Sequence, residues 1–188
     1  MKIKIILLTL SVLLTVKGQR LEAYCSPGAL PLNATSGTQV TSTDCDPNQE
    51  YCYHSNISPE MTASQITAAI AAVQSFVNAG ATLIAGATNS YNCHGFAWLG
   101  TTDGWLNDPW PLKYCKTYLT SKYGAPTASQ ISWMDAKTTP VVIYYNASSS
   151  HSGQYEGSGM IESKWGLAGR YEHTFTNCPY YPNWEAYY

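Results

Sequence analysis

Apolar side chains recur at three- and four-residue intervals through Met61, Ile66, Ala69, Ile70, Val73, Phe76 and Val77, the spacing that lays one stripe along one face of an α-helix. Ser58-Pro59-Glu60 stands just ahead of it. Ser is a favoured N-cap, Pro a favoured first helical residue, and an early Glu suits the positive end of the helix dipole. Asn78-Ala79-Gly80 closes the stripe, with Gly available to cap. A second, short helix is expected from Cys93 to about Leu99, capped by Asn92 and broken by Thr101-Thr102-Asp103-Gly104. Pro111 to Lys122 is a third helical candidate. From Pro140 onward the pattern turns to β, with Val141 to Tyr145, His151 to Glu156 and Met160 to Trp165 as strands and Gly157-Ser158-Gly159 as the turn between the last two. Helices first and an antiparallel sheet after them predict one α+β domain over residues 58–188.

The two segments ahead of that domain read differently. Lys2 and Lys4 precede an apolar run from Ile5 to Val16, and small residues follow at the cleavage position. Residues 1–18 are therefore expected to be a signal peptide, since the run is shorter than the roughly 20 residues a membrane helix needs. Residues 19–57 carry Pro-Gly turns, a Ser/Thr-rich stretch and no apolar period, which predicts an irregular arm stapled by Cys45 and Cys52. A secreted, extracellular, monomeric protein that does not engage membranes is the expectation.

Charge narrows the partners. Three of the ten basic residues fall in the leader, leaving seven against twelve acidic ones, a poor match for nucleic acid or an anionic surface. Sequons at Asn33-Ala34-Thr35 and Asn146-Ala147-Ser148, and a weaker one at Asn56-Ile57-Ser58, would accept glycans in a eukaryotic secretory route. Six cysteines, Cys25, Cys45, Cys52, Cys93, Cys115 and Cys178, follow the leader. An even count in a secreted chain reads as three disulfides, and that parity argues against a free Cys93.

The segment Ser90 to Trp98, SYNCHGFAW, carries the chemistry that disulfide pairing would not explain. A cysteine in the first turn of a helix has its thiolate stabilised by main-chain N–H groups, and those groups can also bind a developing oxyanion. Gly95 leaves room for an incoming acyl group. His94 is badly placed as a base, because adjacent helical residues do not face each other. Metal ligation is not expected, since Cys93, His94, His151 and His173 form no C-x-x-C or H-x-x-x-H pair. Asp103, Asp108, Asp135 and Glu156 offer carboxylates for glycoside cleavage, with nothing to single out two. Trp98, Trp105, Trp110, Tyr114 and Tyr118 either line a cleft or fill a core and its rim.

Two further motifs join the first. NCHGF at Asn92 to Phe96 resembles the nucleophile stretch of NlpC-like amidases and endopeptidases, and HSGQYEGSG from His151 resembles the segment that carries their base on a strand. Together with ESKWG at Glu162 to Gly166 and the CPY at Cys178 to Tyr180, these resemble an uncharacterised bacterial group with N-C-H-G-Y-A-W, H-S, S-K-W-G and C-P-Y motifs. The resemblance spans roughly residues 89–180 and implies a papain-like fold. It also implies a cysteine hydrolase without cofactor, acting on an amide bond in peptide or peptidoglycan-like material. Cys93 would attack the carbonyl, His151 would take and return the proton, and a third group would orient the imidazole. CHAP-type amidases have an E-x-N-W run that ESKW matches at its Glu and Trp, which favours Glu162; Lys164 stands where their Asn would be. Counting forward from the base as in NlpC-like enzymes gives Ser163 instead. The choice depends on turn length: a three-residue turn puts Ser163 on the face of His151, a two-residue turn puts Glu162 there. Glu162 is preferred because a carboxylate stabilises an imidazolium. His173 is the alternative base or a structural hydrogen-bonder. Against the hydrolase stands a reading of another class, a disulfide-stapled extracellular binding module, carbohydrate-binding through its Trp and Tyr side chains.

Overall fold

A computed structural model describes residues 38–41, 50–54, 61–100, 102, 104–106, 109–113, 116–146 and 150–188. The expected leader, Ser58-Pro59-Glu60, the sequons at Asn33 and Asn56, and Cys25, Cys45 and Cys115 lie outside the described residues.

The elements run β1 (Thr38–Thr41), β2 (Glu50–His54), α1 (Ala63–Asn78), β3 (Thr82–Ala85), α2 (Cys93–Leu99), β4 (Trp105–Leu106), α3 (Trp110–Lys113), β5 (Tyr118–Tyr123), α4 (Ala128–Asp135), β6 (Val141–Asn146), β7 (Ser150–Gly157), β8 (Met160–Lys164), β9 (Arg170–Thr174) and β10 (Asn183–Tyr187). Seven strands form one antiparallel sheet in the order β3-β9-β8-β7-β6-β10-β5. A second, three-stranded sheet joins β1, β2 and β4. The arm expected to be irregular thus holds an antiparallel pair, and β2 ties it to the domain through Tyr53 opposite Leu106.

This architecture overturns the expected α+β, papain-like fold. The protein is mostly β, and the helices are short elements set around a seven-stranded antiparallel sheet. The physical reason lies in segments that the sequence pattern left unread. Tyr118–Tyr123, which overlaps the helix expected over Pro111 to Lys122, is the edge strand β5, and only the four residues Trp110–Lys113 are helical before it. Arg170–Thr174 and Asn183–Tyr187 add β9 and β10.

The apolar stripe of α1 forms as expected, but Thr62 caps it: its side chain accepts from the Gln65 N–H while Gln65 answers the Thr62 N–H, a reciprocal capping box. Thr127 and Gln130 repeat the device at α4. Helix α1 buries Val73 against Ala81, Trp165, Ala168 and Tyr171, with Phe76 meeting the Trp165 ring edge-on at 5.7 Å.

Strand β6 sits inside the sheet and is buried on both faces. Val141, Ile143 and Tyr145 pack with Ile161, Phe175, Trp184 and Met134 of α4. Val142 faces the other way, towards Ala97 and Trp98 of α2, Leu106, Leu112 and Tyr187. Burying each such side chain contributes about 1.5–3 kcal/mol, so the unbroken run Val141-Val142-Ile143 marks a central strand.

The β7–β8 hairpin sets the register that matters. Gly157 pairs with Met160 around the two-residue turn Ser158-Gly159, where both residues have positive φ, 53° and 82°. A bulge at Glu156 then restores Tyr155 opposite Ile161, Gln154 opposite Glu162 and Gly153 opposite Ser163. Asp135 at the end of α4 clamps the tip, accepting from the Tyr155 hydroxyl at 2.7 Å and the Ser158 N–H at 2.9 Å.

Candidate active site around Cys93

Helix α2 begins as the sequence predicts. Asn92, extended at φ −112° and ψ 175°, accepts from the Gly95 N–H at 2.8 Å, and Gly100 closes the helix in the left-handed conformation. The same Asn92 side chain holds β4: its oxygen also accepts from the Leu106 N–H at 3.1 Å and its amide donates to the Leu106 carbonyl at 2.8 Å. Gly95 has a different duty from the one expected. A Cβ there would lie 2.5 Å from the Gly104 carbonyl oxygen, so the glycine admits the neighbouring loop rather than a substrate.

One face of β7 docks this helix. His94 reaches the Ser152 hydroxyl through Nδ1 at 2.8 Å and the Ser150 hydroxyl through Nε2 at 3.0 Å. The Trp98 indole N–H donates to the Ser152 hydroxyl at 2.8 Å, and the Gln154 amide donates to the Phe96 carbonyl at 3.2 Å. Burial pushes the His94 imidazole down to about 4, so it is neutral here.

Cys93 is a free thiol, as is Cys178; the three-disulfide expectation fails for both. The β7–β8 ladder stops at Gly153 and Ser163, and the main-chain N–H of Ser152, one residue further, is directed at the Cys93 sulfur. The N–H groups of His94 and of Cys93 itself join it. These donors and the Lys164 charge favour thiolate, yet burial outweighs them and pushes the thiol up to about 11. The expected lowering is therefore reversed: a seven-residue helix offers a weak dipole, and desolvation is the larger effect.

His151 projects from the opposite face of β7 and is fully buried. Its ring lies flat on the Tyr180 ring, 3.8 Å between centroids at 10°, and 5.8 Å from the ring of Tyr145, its cross-strand partner. Neither ring nitrogen has a hydrogen-bond partner. Burial holds its pKa well below the usual histidine range, and a positive charge on His94, His173 or Lys164 would add to the effect. Burial first, then the charges of Cys93 and Cys178, raise the Tyr180 phenol.

The bulged register settles where the two candidate third residues point. Glu162 stands opposite Gln154, on the α2 side of the sheet, and is paired there with Arg170, whose guanidinium lies over the Phe96 ring at 4.9 Å. It is therefore turned away from His151. Ser163 does share the His151 face, but its hydroxyl is occupied: it accepts from the Trp165 indole at 2.8 Å and meets His173 Nε2 at 2.7 Å. His173 Nδ1 lies 2.8 Å from the Thr174 carbonyl, so Nδ1 carries the proton and Nε2 accepts from Ser163. His173 is thus engaged as a structural hydrogen-bonder.

The aromatic residues do not gather into one cleft. Trp98 is buried against β7, Trp105 is half-buried and donates to the Asn89 carbonyl at 2.6 Å, and Tyr118 is 54% exposed. The Trp110 side chain and Tyr114 lie outside the described residues. Asp103 and Asp108 do as well, while Asp135 serves the hairpin tip. Among the described residues no three His, Cys, Asp or Glu side chains gather as a metal site would need, and no helix is long and apolar enough to cross a membrane.

Two residues missed in the sequence reading complete the neighbourhood. Tyr180 was visible in the CPY motif, but its stacking on His151 required the fold. Lys164 was visible as the substitution for an Asn; it is wholly buried at the end of β8.

A family model described as a domain of unknown function (DUF7689) matches residues 82–188. No curated protein and no solved structure matches the chain.

Proposed function

The chain belongs to the DUF7689 family through the segment that carries Cys93, His151, Lys164 and Tyr180, and we propose that it is a secreted cysteine hydrolase cleaving an amide bond in peptide or peptidoglycan-like material. The observation that carries the reading is His151: a fully buried imidazole with both nitrogens unpartnered, one residue along the strand from the N–H directed at a free cysteine sulfur. Buried polar groups are almost always hydrogen-bonded, and an exception needs a reason such as chemistry.

In this reading the resting pair is a neutral thiol and a neutral imidazole. Substrate binding brings the carbonyl carbon to the Cys93 sulfur. As the S–C bond forms, the thiol proton passes to His151 and the carbonyl electrons move onto oxygen, where main-chain N–H groups around the sulfur receive them. Collapse of the tetrahedral species breaks the C–N bond, and His151 returns its proton to the departing amine. Water then hydrolyses the thioester with His151 again as base. Tyr180 holds the imidazole ring in place of a carboxylate.

The test is cleavage of a panel of peptides and peptidoglycan-derived muropeptides by the mature protein, followed by mass spectrometry. Turnover lost in Cys93→Ser and His151→Ala is expected; turnover that survives Cys93→Ser rules out this chemistry. Recovery of the protein from culture medium with a mature amino terminus near residue 19 tests secretion.

One observation favours the binding-module reading. His151 has no solvent-exposed surface, so a domain that never opens would keep it from any substrate. Saturable retention on polysaccharide, unchanged by Cys93→Ala, would support that alternative.

A further inference from the structure

Lys164 is buried without a carboxylate. The ion pairs among the described residues are Lys113 with Glu185 and Arg170 with Glu162. Lys164 Nζ instead donates to the Thr88 carbonyl at 3.0 Å and the Gly166 carbonyl at 2.5 Å, and lies 5.4 Å from the centroid of the Tyr91 ring. Two carbonyl dipoles and a π-face are partial compensation for a wholly buried ammonium. A group this costly to bury needs an anion or a function.

The surroundings of Lys164 offer few candidates for the anion. Arg170 stands directly opposite on β9, itself cationic and engaged with Glu162 on the same face of the sheet. His151 on β7 is neutral, and a charge on either residue disfavours one on the other. Tyr91, in the segment leading into α2, presents its ring face. Cys93 at the start of α2 remains, two residues beyond the Tyr91 ring that Lys164 Nζ faces; a thiolate there and the Lys164 ammonium would stabilise each other.

We propose that Lys164 is the electrostatic partner of Cys93, a positioning residue whose buried ammonium stabilises the thiolate that forms as His151 takes the thiol proton. The proposal rests on Cys93 being the nucleophile, and it deepens that reading by naming what makes the sulfur ionisable. Glu162, turned to Arg170, is released from the role the sequence assigned it.

Burial lowers the Lys164 pKa to about 8, with the Cys93 charge opposing the shift. The stabilising charge is therefore present at neutral pH and disappears as pH rises through about 8. Thiol alkylation reads this directly, because its rate follows the thiolate fraction whether or not any substrate is turned over.

The experiment measures the iodoacetamide alkylation rate of Cys93 by peptide mapping from pH 6 to 10, in the full mature chain and in Lys164→Met and Lys164→Gln. At pH 7 the variants are expected to react about tenfold more slowly, the effect of a shift of about one pKa unit. The difference should shrink above pH 9. A loosened fold would move labelling the opposite way, by exposing the sulfur. Should the variants fail to fold, the wild-type profile alone decides. The expected wild-type rate bends near pH 8, and a straight rise of about one decade per pH unit from pH 6 to 9.5 overturns the proposal. Equal rates in wild type and variants at pH 7 overturn it too. Failure to find a cleaved substrate, with this pH pattern intact, would count against the hydrolase but not against the Cys93–Lys164 coupling.

Discussion

The two faces of strand β7 are built on opposite terms. On the α2 face the polar side chains of the strand are matched: Ser150 and Ser152 hold His94, Ser152 also takes the Trp98 indole, and Gln154 reaches the Phe96 carbonyl. On the other face His151 has a stacked tyrosine and no hydrogen bond at all. Both histidines are buried and both are neutral, so burial alone does not separate them. The difference teaches that the satisfied histidine is part of the framework, and the unsatisfied one is where stability has been given up.

The largest consequence concerns turnover. Under the proposed mechanism, His151→Leu lowers the cleavage rate by about 10²–10⁴-fold, the range for a general acid–base group. The same substitution removes an unpaired buried polar group and is expected to leave the melting temperature unchanged or raise it. His94→Leu reverses the pattern. It strips partners from Ser150, Ser152 and the region of Trp98 and is expected to cost about 1–3 kcal/mol in denaturant unfolding. If His151→Leu proves as destabilising as His94→Leu, the distinction between the faces is lost.

Acid titration tests both histidines together with His173. All three are held below the ordinary histidine value by burial, His94 and His173 to about 4. Their unfolded forms bind protons first, so the folded state loses stability as pH falls through about 6.5 towards 4. Each group contributes a slope of about 1.4 kcal/mol per pH unit within that window. Urea unfolding at pH 7, 6, 5 and 4.5 measures it, and a flat profile would mean that the imidazoles are not neutral and buried. The smallest effect belongs to Glu162→Gln. Its pair with Arg170 is partly exposed and worth about 0–1 kcal/mol. Because Glu162 faces away from His151, turnover should change by less than about threefold; a hundredfold loss would restore it as the orienting residue.

Parts of this arrangement were legible in the chain and parts were not. Helix α1 announced itself by its stripe, and α2 by Asn92 ahead of Cys93, because helical period and capping are local. Strands β6 to β8 showed as a β-branched and aromatic run with a glycine turn. Strands β9 and β10 escaped because each offers only two buried residues in alternation, Tyr171 with His173 and Trp184 with Ala186, too few to register as a period. Helix α4 carried the Thr127–Gln130 capping box, a signal that was present and not used. The facing of Glu162 and Ser163 turned on a bulge at Glu156: a two-residue turn with a bulge gives the same register as a three-residue turn without one. The fold class was missed for the same reason as β9 and β10, since strand pairing across distant segments leaves little local trace.

Quench-trapping of the mature protein with p-nitrophenyl acetate, followed by peptide mapping, tests the central claim most directly. The account predicts one acetyl group on Cys93, formed at least about 100-fold more slowly in His151→Leu. An acetyl group that forms equally fast without the imidazole, or a Cys93 recovered in a disulfide, would contradict it.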